Sequence, residues 1–129
     1  IHPLQSSNNG YRPMDKKMLY KPKKEGKKKT AYKYDLLKLQ YLEKLVTDCK
    51  ANGTKLVFAI SPQYNAHDDK VYAPLKEICA KYDVPLLNHY CDDAFVNNAD
   101  YFYDSVHMNR TGASLYTKKI AEELKERHY

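Results

Sequence analysis

Lys55-Leu-Val-Phe-Ala-Ile60-Ser61-Pro62 reads as a continuous apolar run with a hard stop. An unbroken run of this length, rather than an alternating one, suits a strand buried on both faces, as in a parallel sheet flanked by helices. Pro62 has no N–H to give to a ladder, so the strand ends there. Upstream, Leu39, Leu42, Leu45, Val46 and Cys49 recur at helical spacing. Asn52-Gly53 then supplies the left-handed residue that closes such a helix. Its predicted buried side is Leu39, Leu42, Val46 and Cys49, with Lys38, Glu43, Lys44 and Lys50 outward.

Downstream, Gln63-Tyr-Asn-Ala-His67-Asp-Asp69 forms a loop, and Asp68 or Asp69 is placed to cap the next helix. Val71, Leu75, Ile78, Cys79 and Tyr82 mark that helix's buried face, with Pro74 in its first turn. Asp83 breaks it, and Val84-Pro-Leu-Leu-Asn-His-Tyr90 reads as a second strand. Pro85 fits only before pairing begins or at an edge. Cys91 to Asp100 is a polar connection with a short helical turn near Ala94–Val96. A last helix spans about Arg110 to Arg127 and buries Ala113, Tyr116, Ile120, Ala121 and Leu124. The resulting order, helix-strand-helix-strand-helix, predicts an α/β fold with a parallel sheet. Ligands in such sheets bind beyond the carboxyl ends of the strands. The Ser61–Asp69 loop, the loop after Tyr90 and the segment before the last helix are expected to gather there.

That last segment is Tyr101-Phe-Tyr-Asp104-Ser-Val-His107-Met-Asn109-Arg-Thr-Gly112-Ala113. Residues three apart lie on one side of a turn. Asp104 can therefore fix one imidazole nitrogen of His107 and leave the other to take a proton. Asn109 is well placed as the N-cap of the helix that follows.

The segment resembles the C-terminal motif of the SGNH (GDSL-like) hydrolases, Asp-x-x-His ahead of a helix opening with Gly-Ala. The resemblance covers residues 34–129 and implies the C-terminal part of a three-layer α/β/α (flavodoxin-like) domain. It implies a serine-dependent hydrolase or acyltransferase acting on acyl esters of small molecules, carbohydrates or lipids. His107 would be the general base and Asp104 the orienting acid, with no cofactor. An exported or periplasmic setting is favoured by the resemblance alone. The family's Gly-Asp-Ser nucleophile block is absent here, as is a Gly-x-Asn-Asp oxyanion block. This chain alone is therefore expected to be inactive. The alternative is a non-catalytic carbohydrate-binding or interaction module on the same scaffold, able to form homo-oligomers through an exposed sheet edge.

Other serines do not fill the gap. Ser6 and Ser7 stand in turn-like sequence. Ser61 ends a strand, and the order Ser61, Asp104, His107 matches α/β-hydrolases, but no Gly-x-Ser-x-Gly elbow surrounds it. Pro62 also removes the following N–H, a usual oxyanion donor. Gln63, Tyr64 and Asn65 are the better candidates for substrate-side contacts. His67 and His89 lack zinc-helix spacing to each other or to His107, so no metal is expected.

Composition narrows the classes. The chain of 129 residues supports one domain, with residues 1–33 an irregular leader and order beginning near Tyr34. It starts at Ile1 with neither initiator Met nor signal-peptide pattern, which reads as a processed, trimmed or incomplete chain. No apolar run is long enough to span a membrane. The formal charge is +6. Residues 15–33 hold nine lysines against Asp15 and Glu25, so the remainder is close to neutral. The Lys21–Lys29 block, broken by Pro and Gly and lacking interleaved aromatics, reads as a solvated loop rather than a specific nucleic-acid site. The three cysteines, Cys49, Cys79 and Cys91, show neither metal spacing nor CxxC. Cys49 and Cys79 fall on apolar helix faces and are expected to be reduced core thiols, while Cys91 follows a strand near the expected site with nothing to mark it as activated. Thirteen tyrosines and no Trp give an amphipathic core whose hydroxyls need partners.

Overall fold

The computed structural model describes residues 13–19 and 32–128. The Lys21–Lys29 block, Ser6 and Ser7 lie outside the described residues. Helix α1 spans Leu36–Ala51, strand β1 Phe58–Ile60, helix α2 Ala73–Tyr82, strand β2 Leu86–Asn88 and helix α3 Arg110–Glu126. Single 3₁₀ turns occupy Lys70–Tyr72 and Ala99–Tyr101. The chain is a mixed α/β fold whose β1 and β2 pair in parallel, with Phe58 opposite Leu86 and Ile60 opposite Asn88. No described helix is long and apolar enough to cross a membrane.

The residues fall into two compact units, Lys23–Asn97 and Ile1–Pro22 with Asn98–Tyr129. In the first, α2 is the crossover that parallel strands require. Val46 of α1, Ile78 and Cys79 of α2 and Val84 are buried together. Leu39, Leu42, Leu75, Tyr82, Phe58 and Leu86 pack around them. The helical spacing therefore selected the right faces, with Cys49 half-buried and free. Glu43 differs from expectation. It is half-buried because its carboxylate accepts from Lys81 Nζ (2.6 Å) and the Tyr82 hydroxyl (2.7 Å), tying α1 to α2.

Several expectations are corrected. Ala59 is exposed, so β1 is not covered on both faces within its unit. Both strands are shorter than their apolar runs, because only three residue pairs are in register. Val71 is exposed and sits on the 3₁₀ turn ahead of α2 rather than on the helix. Neither aspartate caps α2. Asp68 instead accepts from the Lys70 N–H at 3.1 Å. In α3, Ala121 is exposed, while Ala113, Tyr116, Ile120 and Leu124 are only half-buried. Phe95, in the predicted polar connection, is 4% exposed and belongs to the core.

Two helix ends follow their residues. Gly53 takes φ +67° just beyond α1, as the Asn-Gly pair predicts. Asp83 ends α2 in the left-handed region (φ 51°, ψ 51°), and the Cys79 carbonyl accepts from both the Asp83 and Val84 N–H groups. An L-residue is strained there by its Cβ, although aspartate tolerates it better than most. Asp83→Gly should therefore raise stability by about 0.5–1 kcal/mol, read as a higher urea midpoint with unchanged m-value.

Candidate active site

In the second unit, Phe102 and Met108 form an antiparallel bridge, and residues 103–107 make the loop between them. The loop is closed by the Tyr103 N–H donating to the His107 carbonyl at 2.8 Å. Asp104 organises its interior. Oδ1 accepts from the Val106 N–H (2.8 Å) and the His107 N–H (2.7 Å). The same carboxylate meets His107 Nδ1, at 2.9 Å from Oδ2 and 3.1 Å from Oδ1. A carboxylate only accepts, so Nδ1 carries the proton and Nε2 holds the lone pair. Nε2 is the nitrogen not engaged by Asp104, and the His107 side chain is 61% exposed. The pair can orient an imidazole and accept a proton from a neighbouring hydroxyl.

Burial alone would raise the Asp104 pKa. The His107 backbone and imidazole N–H groups and the Val106 N–H outweigh it, so the carboxyl is held below its ordinary value.

The loop rests on Asn109, which is 3% exposed. Its Oδ1 accepts from the Gly112 N–H (3.0 Å), the predicted N-cap bond. Its Nδ2 donates to the Asp100 carbonyl (2.8 Å), and its backbone N–H to the Tyr101 carbonyl (3.0 Å). The amide thus ties the start of α3 to the 3₁₀ turn before the loop. Gly112 makes this approach possible. A Cβ there would lie 2.9 Å from the Tyr101 carbonyl carbon and Cβ, and nearer still to the carbonyl oxygen.

Residues 13–19 contribute a brace that the sequence did not announce. The Met18 N–H donates to the Phe102 carbonyl (2.8 Å), and the Arg110 N–H to the Met14 carbonyl (2.8 Å). Asp15 pairs with Arg110, and Lys17 with Asp100 at 2.8 Å. No helix or strand pattern marks this segment, which is why periodicity overlooked it.

The other predicted residues lie in the first unit. Ser61 and Asn65 are exposed, and Tyr64 is 5% exposed, with its backbone carbonyl accepting the Asn97 N–H. Gln63 is half-buried, and its Oε1 accepts from the Tyr90 hydroxyl at 3.2 Å. The Ser61–Asp69 loop and the loop after Tyr90 do meet at the strands' carboxyl ends. The Gln63 N–H bonds the Tyr90 carbonyl, and the His89 N–H bonds that of Ile60.

His89 belongs to a second acid–histidine pair. Its Nδ1 lies 2.9 Å from Asp92 Oδ2, and both side chains are nearly buried. The sequence offered the clue of His-x-x-Asp, the reverse of the Asp104 order. Among the described residues no group of three His, Cys, Asp or Glu has a metal-holding arrangement. Burial pushes the Cys79 and Cys91 thiols up. No family model, curated protein or solved structure matches the chain.

Gly112→Ala should cost about 1–3 kcal/mol, because its Cβ meets backbone rather than a flexible side chain. Urea unfolding measures that loss. The Asp104 contribution should be complete above the usual carboxylate pKa near 4 and disappear as pH falls through its lower folded value. The stability gap between the wild type and Asp104→Asn should accordingly shrink between pH 5 and about pH 2, followed by urea midpoints across that range.

Proposed function

We propose that this chain carries the acid–base half of a serine-dependent ester hydrolase or acyltransferase of the SGNH type. The observation that carries this reading is the Asp104 carboxylate holding His107 Nδ1 at 2.9 Å while two backbone N–H groups hold the carboxylate itself. In this reading the β1–α2–β2 unit and α3 are parts of a three-layer α/β/α domain with a flavodoxin-like parallel sheet. The substrate class is an acyl ester of a small molecule, carbohydrate or lipid, as the motif's resemblance implies.

The chemistry follows from the pair. His107 Nε2 removes the proton of a serine hydroxyl as its oxygen attacks the ester carbonyl. Asp104 stabilises the imidazolium that forms. The imidazolium then gives its proton to the departing alkoxide as the C–O bond breaks, leaving an acyl-serine. Water, or an acceptor alcohol, loses a proton to His107 as its oxygen attacks the acyl carbonyl, and His107 returns that proton to the serine oxygen as the acyl–serine bond breaks, releasing the acyl product. Ser61 is a poor nucleophile here, since Pro62 brings no N–H to an oxyanion.

Fluorophosphonate labelling with peptide mapping, alongside hydrolysis of an activated acetate ester, tests the proposal. This chain alone is expected to take no label; together with a segment that supplies the nucleophilic serine, label on that one serine is expected, with kcat/KM reduced about 100- to 10,000-fold by His107→Ala or Asp104→Asn. Turnover unchanged by either substitution would overturn it. Absence of both label and turnover even with that segment supplied, together with saturable sugar binding, would favour the non-catalytic binding module.

A further inference from the structure

Among the described residues Asn52 alone is an asparagine followed by glycine. Asparagine is a chemically labile side chain, and its lability depends on the residue after it. The backbone nitrogen of that residue attacks the side-chain carbonyl carbon, and a glycine has no Cβ to obstruct the approach. Gly53 stands in open space, where an added Cβ would meet nothing within 4 Å. Residues 51–55 are all exposed, so water reaches the turn freely.

The closed turn opposes that attack. Helix α1 ends in a Schellman motif, in which the Gly53 N–H donates to the Lys50 carbonyl (3.1 Å) and the Thr54 N–H to the Cys49 carbonyl (2.8 Å). The attacking nitrogen is therefore already engaged. The leaving group is held as well, since Asn52 Nδ2 donates to the Asp48 carbonyl at 2.8 Å. Asn52 has ψ 5°, which eclipses the Gly53 nitrogen with Asn52's own nitrogen. Closing a five-membered ring needs the Gly53 nitrogen turned towards Cβ instead. That rotation breaks both Schellman bonds. Yet these are the last bonds of a helix in a solvated turn, and such ends open without unfolding the rest.

We infer that Asn52 is a site of spontaneous covalent modification, converted to aspartate and isoaspartate through local opening of the α1 C-cap. In the opened cap the Gly53 nitrogen loses its proton to hydroxide and bonds to Asn52 Cγ. The Cγ–Nδ2 bond then breaks, and Nδ2 takes a proton from water and leaves as ammonia. Hydroxide is regenerated and a succinimide remains. Water adds to one of the two imide carbonyls, the C–N bond there breaks, and the nitrogen takes a proton. Cleavage at Cγ leaves an aspartate. Cleavage at the main-chain carbonyl routes the chain through Cβ and Cγ as isoaspartate. Either product loses the donor to the Asp48 carbonyl and places a negative charge at the C-terminal end of α1, where the helix dipole is also negative. The change thus weakens the cap that restrained it. The inference uses neither Asp104 nor His107, so it stands apart from the acyl-transfer reading.

Incubation of the full chain in mildly alkaline buffer, with peptide mapping by mass spectrometry at intervals, is the test. Mapping separates Asn52 from Asn9-Gly10, which lies outside the described residues. A synthetic peptide of residues 48–56 and the Asp83→Gly chain are followed in parallel. Conversion at Asn52 is expected in the folded chain, with isoaspartate among the products and a rate about tenfold or more below that of the peptide. Asp83→Gly acts at the end of α2 and leaves the α1 cap alone, so the rate should not change. Conversion as fast as in the peptide would overturn the inference, because the cap would then restrain nothing. Conversion in the peptide but none in the folded chain would also overturn it. So would a slowing in Asp83→Gly that matches its gain in stability, since the route would then be global unfolding.

Discussion

The Asn109 side chain is asked to satisfy two elements at once. Its oxygen caps the first turn of α3, and its nitrogen closes on the Asp100 carbonyl in the turn before the loop. A buried amide left half-paired would cost its full desolvation, so the two elements are held at one spacing. That spacing sets the span between Phe102 and Met108, and the loop carrying Asp104 and His107 fills it. Gly112 is the steric counterpart, since any side chain there would push the helix off the Tyr101 backbone.

Within the loop, Asp104 does two jobs with one carboxylate. Two backbone N–H groups fix the carboxylate, and the carboxylate fixes the imidazole. Orientation therefore comes from the four residues themselves, and the brace of residues 13–19 steadies their base rather than the pair. The His89–Asp92 pair has the same separation and contact distance but is nearly buried. Exposure, not pairing, separates an imidazole open to solvent from one that is built into the core.

The first unit shows how far pattern carries and where it stops. Helical spacing found Val46, Ile78 and Cys79, because a 3.6-residue period repeats one face regardless of what covers it. The same logic misplaced Val71, which lies on a 3₁₀ turn where that period does not hold. It also promised cover for Ala59, since an apolar run reports buried potential but not whether a second layer is present. Phe95 was invisible for the opposite reason: a lone aromatic in a polar loop has no period at all.

The sequence by itself determined the local features. These are the helix starts and stops at Asn109, Gly53 and Asp83, the β-α-β order, and the Asp104–His107 contact. Each depends on residues within a few positions, whose geometry the backbone dictates. Tertiary structure alone decided that residues 13–19 brace Phe102 and Arg110, that Glu43 bridges two helices, and that Tyr72 and Tyr90 meet edge to face. Those contacts join residues far apart in the chain, and no local propensity encodes which distant partner will satisfy a hydrogen bond or cover a ring.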